Sequence, residues 1–167
     1  MRTLIVFYSR SGHTRQLAQE LATRCSADLE EIREANSREG FFGYCRSALQ
    51  VLTRELPPIL SPVKNPADYD TVIIGTPVWM QRTAPPVLTY LTQNAATLKQ
   101  VAFFCTLGGS GDRQTFKEMS RRCGKQPLGT LTVTEKELPA ALHAMQLSTF
   151  VARIPDAAMK RNMPRNV

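Results

Sequence analysis

Three short runs of apolar residues, Thr3–Tyr8, Thr71–Gly75 and Val101–Leu107, are each followed by a loop and then by a stretch of helical periodicity. A strand without polar alternation must be covered on both faces, which happens when helices flank a parallel sheet. The first run leads into Thr14, Leu17, Ala18, Leu21, Ala22 and Cys25, a stripe of helical spacing. Helices are also predicted over Phe41–Leu56, Val87–Gln93 and Arg113–Cys123, and Leu138, Leu142, Met145 and Phe150 mark a last one. Ala27–Ile32 reads as a short second strand, and the β-branched Leu128–Thr134 as an edge strand. Pro57-Pro58 must end the helix before it, and the proline-rich Pro57–Asp70 reads as an irregular connection. The β-α alternation implies one doubly wound α/β domain over residues 1–154, with five parallel strands and right-handed crossovers. Residues 155–167 form a C-terminal tail.

At 167 residues the chain has room for one domain with a sizeable core. No apolar run is long enough to span a bilayer, and Arg10, His13 and Arg15 follow the first one too closely for a secretory signal. Cys25, Cys45, Cys105 and Cys123 include no CxxC pair, which fits reduced thiols in a cytoplasm. Only His13 and His143 are available as histidine ligands, so no metal site is expected. The net charge of +7 attracts anions, without saying which.

Parallel sheets bind ligands beyond the carboxyl ends of their strands, near the switch in strand order. The loops after Tyr8, Gly75 and Leu107 are therefore the places for chemistry. Ser9, Arg10, Ser11, Gly12, His13 and Thr14 join a strand to a helix; their hydroxyls and amides, with the helix dipole, suit a phosphate. The same residues also suit an ordinary helix cap. Gly75-Thr76-Pro77-Val78-Trp79-Met80-Gln81-Arg82 holds the chain's single tryptophan, positioned either to stack on a flat ring or to cover the core beneath its own loop. In Thr106, Leu107, Gly108, Gly109, Ser110, Gly111 and Asp112, three glycines beside a hydroxyl would let backbone amides lie against a ligand's polar edge.

Ile5-Val6-Phe7-x-Ser9-x-x-Gly12-x-Thr14, with Ala18 and Leu21 after it, resembles the N-terminal signature of the flavodoxin family. Gly75-Thr76-Pro77-Val78-Trp79 is similar to that family's second loop, and Thr106–Asp112 to its third. The resemblance covers roughly residues 1–150, without the insertion of the long-chain branch. It implies a flavodoxin-like, three-layer fold and FMN as cofactor. It also implies that Ser9–Thr14 wrap the phosphate, that Thr76, Pro77, Val78, Trp79 and Met80 flank the isoalloxazine, and that Thr106–Asp112 meet its pyrimidine side. Ser11 stands where the family more often has Thr.

Two departures bear on role. Acidic surfaces are common among electron-shuttling relatives; this chain is basic, which implies a less reducing flavin. Shuttles usually hold the ring between two aromatics, and Thr106–Asp112 contains none. Phe41, Phe42 or Tyr44 could supply the second ring, although their spacing suits the core. The reading that follows is an FMN-binding redox protein passing electrons to a partner protein. An FMN-dependent NAD(P)H:quinone oxidoreductase and a flavin-free basic binding module remain as alternatives; nucleic acid is the less favoured partner. No catalytic residue is assigned. A nucleophilic Cys is absent from the first loop, and Phe7 and Tyr8 stand where a receiver domain needs acids.

Overall fold

The computed structural model describes residues 2–35, 56–138 and 143–155. In chain order these form β1 (Thr3–Phe7), α1 (His13–Cys25), β2 (Asp28–Glu31), a 3-10 turn (Pro66–Asp68), β3 (Thr71–Trp79), β4 (Arg82–Thr83), α2 (Pro85–Asn94), β5 (Gln100–Leu107), α3 (Asp112–Cys123), β6 (Thr130–Thr134) and α4 (Ala144–Ala152). Five strands pair in parallel in the order β2-β1-β3-β5-β6, and β4 folds back antiparallel on the end of β3. The doubly wound α/β sheet expected from the sequence is therefore present, with β6 at an edge. The helix expected over Phe41–Leu56 falls almost wholly outside the described residues. So do Leu142 and the tail beyond Pro155. Pro57–Asp70 is irregular as expected, apart from its 3-10 turn and a bridge between Glu34 and Ile59. No helix among the described residues is long and apolar enough to cross a membrane.

The uninterrupted apolar runs follow from burial on both faces. Ile5, Phe7, Ile73 and Phe104 pack under α1 and α4, with Leu17, Leu21, Leu147 and Phe150. Leu4, Val6, Val72, Ile74 and Phe103 pack under α2 and α3, with Val87, Leu91 and Met119. Burying one such side chain contributes roughly 1.5–3 kcal/mol. Where β1, β3 and β5 run side by side, Phe7 is paired with Gly75, and Gly75 with Phe104. The Phe104 ring fills the space over Gly75, and a Cβ there would lie 2.0 Å from its Cζ. Gly75→Ala should lower stability by about 1–3 kcal/mol through overpacking, and Phe104→Leu in the same chain should restore part of it. Urea denaturation of both variants checks this.

α4 is fastened to α1 by a polar contact. His143, only 2% exposed, places Nε2 2.7 Å from Glu20 Oε2, and its Nδ1 lies 3.3 Å from the Glu137 carbonyl. Partial burial pulls the Glu20 carboxyl upward, but hydrogen bonds from His143 and Arg24 outweigh it and hold the carboxyl below its usual value. The stabilisation this depression brings is present above the unfolded-chain value, roughly pH 4.3, and is lost as the pH falls through the lower folded value. In urea titrations across that range, the stability gap between the native chain and Glu20→Gln should close as the solution becomes acid.

Candidate functional site

Parallel pairing brings the ends of β1, β3 and β5 to one edge of the sheet, and each of the three segments touches the other two there. Tyr8 meets Trp79 edge-on, with ring centroids 5.7 Å apart and planes at 84°. The Arg10 guanidinium lies 6.0 Å from the centre of the same indole. Thr14 and Thr106, both buried, join the first and third segments through their hydroxyls at 2.8 Å. The second and third meet at Gly111, where a Cβ would come within 2.5 Å of Gln81 Cα and 3.1 Å of Val78 Cγ1.

The segment from Ser9 to Thr14 ends in a helix start whose cap residue has no side chain. Gly12 occupies the cap position of α1 with φ 96° and has no hydroxyl or carboxylate to offer. A Cβ at Gly12 would meet nothing within 4 Å, so the space in front of it is open. The Arg15 amide donates to Ser9 Oγ at 3.2 Å. Early amides of a helix have no intrahelical acceptor, and together with the dipole they make an anion site. Arg10, Ser11, Gly12 and His13 are at least partly accessible, whereas Ser9 and Thr14 are buried. His13 Nδ1 lies 3.2 Å from Ser11 Oγ and 3.3 Å from Glu135 Oε1.

The second segment differs from the sequence expectation. It is a continuation of β3 through Trp79, turned back by Met80 and Gln81 into β4, with Trp79 paired to Arg82. Met80 and Gln81 have φ of 48° and 62°, the left-handed pair that a tight hairpin following the strand twist requires. Neither is glycine, which costs on the order of 1–2 kcal/mol per residue. Pro77 and the absence of the usual Asn-Gly turn signal make Pro77–Arg82 read as a loop in the sequence, although Val78 and Trp79 are strand formers. Thr76 is fully buried and its hydroxyl is spent inside the fold, accepting from the Ala84 amide at 3.1 Å and donating to the Pro77 carbonyl at 2.9 Å. Pro77, Val78 and Trp79 are half-buried, and Met80 is 59% exposed.

In the third segment Thr106 and Leu107 are buried and Gly108, Gly109 and Ser110 exposed. Gly111 caps α3 with φ 116°, again without a capping side chain. Asp112 Oδ2 accepts from Thr132 Oγ1 at 3.2 Å. Burial pushes the Cys105 thiol up to about 12, which leaves it inert as the sequence suggested.

Three neighbours of the site escaped the sequence reading. The Tyr8 hydroxyl donates to Glu34 Oε1 at 2.6 Å; burial, then this bond, raises its phenol above the usual value and fixes the ring against Trp79. Glu135 follows β6, and its amide donates to the Leu107 carbonyl at 3.0 Å. Its carboxylate faces His13 and comes within 3.9 Å of a Cβ built on Gly108. The available signal was topological: a fifth parallel strand also ends at this edge.

Gly111→Ala forces a side chain onto Gln81 and an unfavourable φ at once. We expect a stability loss of about 1–3 kcal/mol and a red-shifted Trp79 emission as the hairpin is displaced. An unchanged emission spectrum would show that Gly111 does not hold the hairpin.

Comparison with known proteins bears on this geometry. A family model described as flavodoxin matches residues 2–129. No curated protein matches the chain. Among solved structures, a Lactobacillus acidophilus flavoprotein in complex with FMN is 23% identical, with a TM-score of 0.69 over 83% of this chain and 97% of that one. A putative flavoprotein of Bacteroides eggerthii is 22% identical, with a TM-score of 0.69 over 87% and 98% of the two chains. One from Bacteroides uniformis is 21% identical, with a TM-score of 0.71 over 84% and 97%. These likenesses extend the agreement in fold across most of the chain.

Proposed function

The chain belongs to the flavodoxin family, and we propose that this protein is an FMN-binding redox protein that passes electrons to a partner protein. The cofactor is FMN, supported by family membership and by the FMN in the Lactobacillus acidophilus relative. The observation that carries the reading is the meeting of three distant segments at one sheet edge, with Tyr8 and Arg10 against Trp79, beside an open helix start at Gly12.

The residues fit the group. The amides at the start of α1, with Ser9 and Ser11, hold a phosphate; Arg10 adds positive charge. Thr14 contributes through the backbone, since its hydroxyl is engaged with Thr106. Trp79 stacks against the ring system, held in place by Tyr8 and the strained hairpin. Gly108, Gly109 and Ser110 bring backbone against the polar edge, and Gly111 lets the hairpin approach. Thr76 and Leu107 are buried supports of these segments. When bound, FMN supplies one- and two-electron transfer, and the protein sets its orientation and electrostatics. Glu135, beside His13, and Arg10, beside Trp79, are charged groups at this edge that contribute.

A second reading rests on one observation: residues 106–112 carry no aromatic side chain, so the face opposite Trp79 has no ring from that segment. Phe41, Phe42 and Tyr44 lie outside the described residues. An uncovered face would admit NAD(P)H or a quinone directly.

Titration of apoprotein with FMN should quench both flavin and Trp79 emission. Trp79→Leu should weaken FMN binding by roughly fivefold to 150-fold, the worth of one aromatic stack at about 1–3 kcal/mol. Unaltered emission from both chromophores would remove the cofactor reading. NAD(P)H consumption by the holoprotein without an added reductase would favour the oxidoreductase.

A further inference from the structure

The outward face of α3 carries a line of cations that the stability of the helix does not ask for. Arg113, Lys117 and Arg121 recur at every fourth residue and are all exposed. Like charges at that spacing repel along a helix. Arg121 and Arg122 in the last turn are favoured by the helix dipole, but Arg113 lies in the first turn, where the dipole opposes it. Arg82 and Lys125 extend the patch at either end, across adjoining grooves of about 360 and 600 Å³.

The nearby acids are already engaged. Glu118 accepts from the Thr83 amide at 3.1 Å and lies 3.6 Å from Arg82, and Asp112 accepts from Thr132. Among the described residues, Arg113, Lys117, Arg121, Arg122 and Lys125 form no ion pair. Phe116, half-buried, supplies apolar surface between the cations.

We propose that this face docks an acidic protein surface; that the docked protein is the electron-transfer partner rests on the function proposed above. The charge is complementary, and the mixture of Arg with a central aromatic is that of protein interfaces. Single-stranded nucleic acid would need a series of stacking rings, and among the described residues Phe116 is the one aromatic in either groove. The line from Arg113 to Arg121 spans about 12 Å and begins within a turn of Gly111. A partner seated on it lies beside the hairpin that carries Trp79, which shortens the path for an electron.

The test uses the full-length chain reconstituted with FMN and reads the anisotropy of a fluorescein-labelled oligoglutamate peptide, with labelled oligothymidylate alongside. We expect oligoglutamate to bind more tightly than oligothymidylate, with an affinity that falls as salt is added. The R113E/K117E/R121E variant should weaken peptide binding by roughly tenfold or more, with FMN quenching unchanged. The charge-neutral R113Q/K117Q/R121Q variant should show an intermediate loss, and serves if the reversal variant does not fold. Equal peptide affinity in the variants, or a preference for oligothymidylate, would overturn the proposal. Failure of the cofactor reading would appear separately, as absence of FMN quenching in the unaltered chain.

Discussion

The side-by-side pairing of Phe7, Gly75 and Phe104 across three parallel strands is the constraint on which the rest of the molecule depends. It sets the register in which β1, β3 and β5 end, and so decides which segments leave the sheet together. Only a residue without a side chain can occupy the middle place, because the Phe104 ring takes the volume above it. A slip of one residue would turn Phe7 and Phe104 toward α2 and α3, exchanging the two apolar layers. The register is therefore fixed by packing in the core, and the edge of the sheet inherits it.

Beyond that row the chemistry changes from packing to hydrogen bonding, and the polar groups divide into two sets. Thr14, Thr76 and Thr106 turn inward and satisfy one another or nearby backbone. Burying them without such partners would cost on the order of 1–3 kcal/mol each. Glycines at the starts of α1 and α3 do the opposite, since they cap the helices without supplying a side-chain acceptor. The fold thus uses its threonines to lock the segments together and its glycines to leave amides available.

How much of this could be read from the residues depends on the range of the interaction. The buried strands and their helices were legible because two-sided burial leaves a continuous apolar run, as in Leu4–Phe7 and Val101–Phe104. The first and third segments were legible because glycine and hydroxyl residues punctuate the step from strand to helix. The course of Pro77–Arg82 was not, because Met80 and Gln81 are poor turn formers held at positive φ by their surroundings. Tyr8, Glu34 and Glu135 were missed for a related reason: each acts through a partner far along the chain, and no local pattern marks it.

The strained hairpin also explains why the site has a direction. Extending β3 to Trp79 carries the indole past the ends of β1 and β5, where it packs, half-buried, against the edge of the core layer under α2 and α3 while β4 pairs back along the strand. Tyr8 supports it from the side of the first segment, and Gly111 admits Gln81 from the side of the third. The same turn places Arg82 next to Glu118 on α3, so one short hairpin links the aromatic platform to the basic face. The strain of two left-handed residues is a cost of order 2–4 kcal/mol that local stability would remove by a simple change to Asn-Gly. Its retention is understandable if the side chains themselves are needed there: Met80 as exposed apolar surface, and Gln81 as the contact that seats the turn on Gly111.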